Sequence, residues 1–319
     1  MKKFISILSI LLIFTLTQPI TAQAAQLIPG GQLIGLELQD QTVTVAAFSE
    51  TESAAKAAGM QIGDRITHID SRPVSSIADI RKALTCSEGS VLIRFLRQGK
   101  EKTLRVYPTV TAQGPQLGVY LRQGITGVGT VTYYDPQTQS FGALGHSVND
   151  PSGKCMEFTG GNAYTAGVLH IKKGQRGKPG QIMGSMQNQT VGSIYKNTPQ
   201  GVFGKTKIDT QMQALETADA EQVHVGPAVI RSTVGNAVAQ EYSVKILKIY
   251  PASRTEGRNM LIKITDPRLL ETTGGIVQGM SGSPIIQDGK LVGAVTHVLV
   301  NDPTTGYGIF IENMLDAAA

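Results

Sequence analysis

The chain has 319 residues, of which 41% are hydrophobic and 36 are glycine, with no tryptophan and a formal net charge of +5. Setting aside Lys2 and Lys3 of an N-terminal export-type segment leaves 27 basic against 24 acidic residues, a net of +3. A charge so mild and dispersed argues against a nucleic-acid partner, and a remaining length of about 295 residues suggests two domains.

Residues 1–24 run from Lys2-Lys3 through the apolar stretch 4–16 to Pro19 and Ala22-Gln23-Ala24. That order, cationic then apolar then small, marks a signal peptide or an N-terminal anchor. The apolar run is shorter than the roughly 20 residues that span a bilayer. The rest of the chain is expected outside the cytoplasm. Two cysteines do not make a disulfide framework, so Cys86 and Cys155 are expected as separate thiols.

Residues 27–109 alternate strands with two helical stretches. "TVTVAAF" (42–48) reads as a strand, and "SETESAAKAAG" (49–59) as a short helix with Ser and Thr to cap it and Gly59 to end it. "IGDRITHID" (62–70) alternates apolar residues, and "SSIADIRKALTC" (75–86) spaces Ile77, Ile80 and Leu84 as on one helix face. "SVLIRFLRQGKEKTLRVYP" (90–108) makes a hairpin across Gln98-Gly99. With "GGQLIGLEL" (30–38) and "AAGMQIGDRITHIDSRPV" (57–74), this order resembles a PDZ domain of the bacterial protease type. Such domains add an extended peptide to an open sheet edge. The resemblance implies that the amides of Ile34, Gly35 and Leu36 meet the peptide end, and that Ile77 and Ile80 line the side-chain groove. Leu84 is better read as core.

"VTAQGPQLGVYLRQG" (110–124) reads as a linker and a first strand. From 125 to 319 short strands lie between glycines, with no long helical period before the last residues, so a second, all-β domain (sandwich or barrel) is expected. Within it, Gly279-Met280-Ser281-Gly282-Ser283-Pro284 runs into the strand "LVGAVTHVLV". Flanking glycines allow backbone conformations that turn amides toward a developing oxyanion. Position 283 is serine, which excludes the Gly-x-Ser-x-Gly elbow of α/β-hydrolases. The pattern is similar to the Gly-x-Ser-Gly-x-Pro of chymotrypsin-like proteases. Ser281 is the expected nucleophile, Gly279 and Ser281 the oxyanion donors, and Ser283 the rival hydroxyl. A serine needs a positioned base, and among five histidines His146 in "GALGHSVND" fits best, with His297 as its main rival. "AVTHVL", through Thr296, His297 and Val298, is expected to pair with the substrate backbone. The histidines show no metal-ligand spacing, so neither metal nor cofactor is expected.

Residues 27–319 together resemble the stage IV sporulation protein B family, PDZ-bearing serine peptidases of spore-forming bacteria. The stretches that carry this are "GVGTVTYYDPQTQSFGALGHSVND", "TDPRLLETTGGIVQGMSGSPIIQDGKLVGAVTHVLVNDPTTGYGIFIENML" and the PDZ segment. The resemblance implies a mainly β chain in which a PDZ domain precedes a chymotrypsin-like double β-barrel, with His146, Asp266 and Ser281 as reactive residues. It also implies export toward the space around the forespore and cleavage of the chain itself and of a membrane-anchored regulator. That cleavage would release an intramembrane protease that matures a late sigma factor. Two departures stand out. Asp266 lies only 15 residues before Ser281, so it either orients His146 from an unusual direction or organises the serine loop, with Asp209 and Asp150 as substitutes. Met280 stands where trypsin-like enzymes carry the aspartate that pairs with a freed N-terminus, which excludes activation by that route. A catalytically inactive PDZ scaffold and a general secreted protease are the competing readings.

Overall fold

The structure, a computed structural model, describes residues 24–150, 153–207, 212–235, 238–254 and 257–319. All but the last residue of the export segment lies outside them, as does Asp209. Among the described residues, twenty strands and four short α-helices follow one another. They begin with β1 (Gln26–Pro29), β2 (Leu33–Phe48), α1 (Ala54–Ala57), β3 (Arg65–Ile69), β4 (Arg72–Pro73), α2 (Ile77–Thr85), β5 (Val91–Arg97) and β6 (Lys100–Val106). Then come β7 (Thr109–Thr111), β8 (Gly114–Gln116), β9 (Val119–Asp135), β10 (Ser140–Ala143), β11 (Gly160–Lys172), β12 (Gln181–Thr198), β13 (Gly201–Lys205) and β14 (Leu215–Glu216). The last part holds β15 (Gly226–Ser232), β16 (Gln240–Ile249), β17 (Met260–Ile264), α3 (Pro267–Thr273), β18 (Pro284–Gln287), β19 (Lys290–Leu299), β20 (Asp302–Phe310) and α4 (Ile311–Ala318).

The strands build two barrels. In the first, the order β9-β10-β13-β12-β11-β2 closes on itself because β2 also pairs with β9. The second is the closed ring β15-β16-β17-β20-β19-β18. Period-two patterning decides which face turns inward: along β16, Tyr242, Val244 and Ile246 are buried and Glu241, Ser243 and Lys245 exposed. The protein is thus mainly β, with a PDZ domain toward its N-terminus and a double β-barrel. Between the barrels lies a separate apolar layer, in which Leu27 of β1 and Tyr133 and Phe203 of the first barrel meet Leu291, Ala294 and Ile309 of the second. Ile311 and Met314 of α4 complete it. Fully burying each of the large side chains contributes about 1.5–3 kcal/mol.

The PDZ domain does not stand in front of the barrels as a detached unit. Its sheet is built from the far half of β2 (residues 43–48) and the near half of β9 (119–123), which pair with each other, followed by β3, β5 and β6. Its core is Val43, Val45, Ile66, Ile93, Phe95 and their neighbours, covered by α2 through Ile80, Ala83 and Leu84. Ser76 caps α2 by accepting the Asp79 N–H. The first half of β2 belongs to the first barrel, as do the residues just before it. Ile34, Leu36 and Leu38 are buried with Val131, Phe141 and Val202 of the first barrel. The boundaries expected at 27 and 110–124 therefore do not hold, because one strand on each side of the PDZ domain runs through into the barrel. Cys86 is exposed and Cys155 half-buried, and both are free thiols.

Candidate active site

His146 follows β10 of the first barrel and Ser281 precedes β18 of the second, so both reach the cleft between the barrels. That cleft, of about 600 Å³, is walled by Leu36, Leu38 and Val128 on one side and by Ile276, Val277 and Val298 on the other. His146, Gly279, Ser281, Thr296, His297 and Val298 all line it. The structure thereby brings together every residue expected to act as base, nucleophile, oxyanion donor or substrate strand.

The serine loop is held rigidly by its backbone. Gly279 has φ +100° and Gly282 φ +95°, conformations that only glycine adopts without strain. A Cβ at Gly282 would lie 2.0 Å from the Thr130 carbonyl oxygen, so no other residue fits there. Thr130 of β9 donates its hydroxyl to the Gly279 carbonyl (2.7 Å) and its N–H to the Ser281 carbonyl (3.0 Å). The Ile182 N–H of β12 donates to the Gln278 carbonyl at 2.8 Å. Carbonyl and N–H point opposite ways across a trans peptide, so the Gly279 N–H is turned away from β12. The N–H groups of Met280, Gly282 and Ser283 donate to Val277, Val295 and Met280. Those of Gly279 and Ser281 meet no backbone acceptor among the described residues, which is what an oxyanion site requires.

The Ser281 hydroxyl donates to the Thr296 carbonyl at 2.9 Å. The His146 Nδ1 bonds the Ser147 carbonyl at 2.8 Å, so Nδ1 carries the proton and Nε2 is the basic nitrogen. Asn197 of β12 clamps the loop after His146 by accepting the Val148 N–H and donating to the Val148 and Met156 carbonyls. Burial lowers the His146 pKa, and the bond to Ser147 opposes that shift in part. The His297 ring lies 5.5 Å from the His146 ring, tilted by 41°. Burial, and then the charges of His146 and Arg258, lower its pKa to about 4. Both imidazoles are therefore neutral at neutral pH.

Ser283, the rival hydroxyl, is fully buried and donates to Ser232 at 3.0 Å. It is a structural residue of the second barrel. Asp266 requires a correction, because it shares no hydrogen bond with His146. Its Oδ1 accepts the N–H groups of Arg268 and Leu269, and its Oδ2 accepts the Ser243 N–H. The Arg268 guanidinium adds an ion pair at 2.8 Å. Asp266 is the N-cap of α3, with Pro267 in the first turn and Gly274 closing the helix at φ +73°. It organises the element that leads into the serine loop, the second of the two roles expected for it. Asp before Pro is the sequence signature of a capped helix start, and that signal was open to reading. Asp150 accepts the Lys154 N–H at 3.0 Å.

The expected PDZ contacts also divide. Ile34, Gly35 and Leu36 are not a peptide-end loop: Gly35 pairs with Tyr164 and with Val128, and all three are barrel strand. Their short apolar pattern around a glycine suits a buried strand as well as a binding loop, and pairing on both sides decides for the strand. Ile77 and Ile80 do lie on α2, but Ile80 is 3% exposed and belongs to the PDZ core. The edge of β9 that faces away from β2 over residues 119–124 pairs with no described strand. Gln123 joins that strand to α2, donating to the Ser75 carbonyl and accepting the Ile77 N–H. The open edge begins at Val119, just after Gly118 with φ +67°. Thr130, Asn197 and this edge went unread in the sequence because each acts through backbone partners distant along the chain.

The family model of the SpoIVB peptidase S55 matches residues 113–315, and that of a PDZ domain residues 49–97. The chain belongs to the SpoIVB peptidase S55 family. It is a serine peptidase that carries a PDZ domain. Solved structures similar to this peptidase include the active form of the Rv3671c protease of M. tuberculosis, 15% identical with a TM-score of 0.38 over 60% of this chain and 73% of that one. Another is the PDZ domain of the SdrC-like protein of Listeria monocytogenes, 21% identical with a TM-score of 0.23 over 25% of this chain and 87% of that one. A protein of Rhizobium meliloti named as a zinc metalloprotease is 33% identical over 87 residues, which is 27% of this chain, and the chain spans only 23% of that relative's length.

Proposed function

We propose that this peptidase cleaves proteins with Ser281 as nucleophile and His146 as base, in a dyad whose histidine is oriented by a backbone carbonyl. The observation that carries the reading is the pair of unengaged N–H groups, Gly279 and Ser281, beside a hydroxyl in the same cleft as a neutral buried imidazole. Rotation about the Ser281 side chain moves its hydroxyl from the Thr296 carbonyl toward His146. As Oγ attacks the substrate carbonyl, His146 Nε2 takes the proton, and the two N–H groups hold the oxyanion at about 3 kcal/mol each. Collapse breaks the C–N bond, the proton passes from His146 to the leaving amine, and water, deprotonated by the same histidine, releases the acyl group. The edge of β19 beyond Val295, whose own N–H and carbonyl are taken by Ser283 and Gly282, receives the substrate as an antiparallel strand.

On this reading the peptidase works outside the cytoplasm, at the membranes around a developing spore. It cuts itself and a membrane-anchored regulator there, and the PDZ edge at 119–123 recruits a protein partner by strand addition. What supports this is membership in the SpoIVB peptidase family and the export-type N-terminal segment. The chemistry is tested by fluorophosphonate labelling of the purified chain. Label is expected on Ser281, absent from Ser281→Ala and retained in Ser283→Ala, with peptide cleavage by Ser281→Ala falling up to about a millionfold. Label on Ser283, or wild-type cleavage by Ser281→Ala, defeats the assignment.

A further inference from the structure

We propose that this peptidase accepts a small aliphatic side chain, that of valine or alanine, at the residue whose carbonyl is attacked, and that Ile276 sets the size limit. The proposal rests on the assignment of Ser281 as nucleophile. Two independent features of the cleft carry it.

The first is the absence of charge. Among the described residues that line the cleft there is no Asp, Glu, Lys or Arg. Its two titratable members are histidines that burial keeps neutral. A substrate lysine or glutamate side chain directed into it would lose water without gaining a partner, which is strongly unfavourable. Aliphatic walls from both barrels fit an aliphatic side chain.

The second feature limits size. Ile276 lies five residues before Ser281 in the loop that leads to it, and is 3% exposed. Its N–H donates to the Pro303 carbonyl at 2.7 Å. Gly275 before it has φ +138°, and a Cβ there would meet the Pro303 oxygen at 2.1 Å, so the backbone has a single way to pass. The Ile276 side chain is thereby laid onto Gly306 of β20, its Cδ1 standing 2.5 Å from where a Cβ on Gly306 would be. Gly306 pairs with Val298, one of the residues expected to hold the substrate strand. The space behind that strand, into which the side chain of an added substrate would descend, is therefore floored by the Ile276 side chain. A single methylene in such an apolar site changes discrimination by roughly 10- to 200-fold.

The test uses peptidyl diphenylphosphonates that differ only in the residue at the phosphorus, with Ala, Val, Leu, Phe, Lys or Glu side chains. Each phosphonylates a reactive serine, the P–O bond to one phenoxide breaking as the bond to Oγ forms, and the rate of labelling of Ser281 is read by intact mass. Wild type is expected to react at least tenfold faster with the Val and Ala probes than with the Phe, Lys and Glu probes. Ile276→Ala is expected to move the preference to Leu and Phe. Ile276→Val, which removes one methyl and keeps the β-branch, is expected to raise the Leu rate relative to Ala by several-fold. A wild-type preference for Lys or Glu overturns the proposal, and so does an unchanged ranking in both variants. A small fluorophosphonate with no side chain, run in parallel, separates the two readings. Label from it alongside a contrary ranking removes only the specificity proposal, whereas no label on Ser281 from any probe removes the nucleophile with it.

Discussion

At the scale of the residue, Ser281 is positioned by other residues' backbone bonds and Asp266 by its own. Every oxygen of the Asp266 carboxylate is engaged within α3, β16 and Arg268. The Arg268 guanidinium, and then the surrounding N–H groups, lower its pKa to about 2. A residue so used is a cap, and a cap tolerates asparagine. Asp266→Asn is expected to keep kcat within about tenfold of wild type, against the roughly ten-thousandfold loss seen when a triad aspartate is amidated. Asp266→Ala is expected to cost about 0.5–2 kcal/mol of stability, read as a lower Tm, and to lose activity in proportion to unfolding. A ten-thousandfold loss in a well-folded Asp266→Asn would restore it to the catalytic centre. The histidines give a second prediction. Burial of His146 means that its imidazole, the proposed base, remains free of its proton below its usual pKa of about 6.5. The acid limb of kcat/KM is therefore expected below pH 6.5, and a limb at or above pH 7 would contradict the buried site.

At the scale of the element, the strands β2 and β9 explain both what was legible in the sequence and what was not. Gly35→Asp is the instructive case. With 30–38 read as a peptide-end loop, that change should touch recruitment alone. In the structure a Cβ at Gly35 would meet the Met186 side chain at 2.5 Å, between two paired strands of the barrel. Gly35→Asp is therefore expected to lower Tm and to reduce hydrolysis of a short peptide as much as that of a protein substrate. Ile77→Asp, on the half-buried end of α2 beside the open edge, is expected to spare the short peptide. Equal hydrolysis of the short peptide by Gly35→Asp and wild type would return the segment to the PDZ domain. The Ser281 loop was readable because glycines, a serine and a proline in fixed order encode a local backbone shape. The helix at Ile77–Thr85 was readable from its 3.6-residue period. The destination of β2 was not readable, since a buried strand reads the same whichever sheet claims it. The 18-residue strand β12 was also missed, because exposed Gln, Asn and Thr along it mask its period.

At the scale of the whole molecule, the pKa shifts combine into one pH dependence. His146 and His297 have folded pKa values below the unfolded value, so on acidification the unfolded chain takes up protons first and stability falls from about pH 6.5 downward, for His297 to about pH 4. Asp266 also has a lowered pKa, so its contribution is intact above about pH 4 and lost as the pH falls toward 2. Stability is thus expected to decline in two stages on acidification, which denaturant midpoints measured between pH 7 and pH 2.5 would show. A constant midpoint from pH 7 to pH 4.5 would mean that the two imidazoles are solvated.

The two strands that the PDZ domain shares with the first barrel determine how that domain can be removed. Leu38 pairs with Ile125, so in the barrel β2 and β9 are the two arms of a single hairpin, and the PDZ domain occupies the place of its turn. Deletion from the N-terminal side, to the start of the family match at residue 113, also removes β1 and β2 and leaves β9 and β11 as bare edges. Such a fragment is expected to aggregate. Excision between Gln39 and Gly124, with Asn-Gly joining the ends as a two-residue turn, keeps every barrel strand and the Thr130 bonds to the serine loop. The excised chain is expected to fold, to label at Ser281 with fluorophosphonate at close to the full-length rate, and to lose only partner recruitment. An insoluble excised chain beside a soluble, labelled 113–319 fragment would show the reverse dependence. In this architecture the domain is an insertion in a catalytic barrel, removable by splicing and not by truncation.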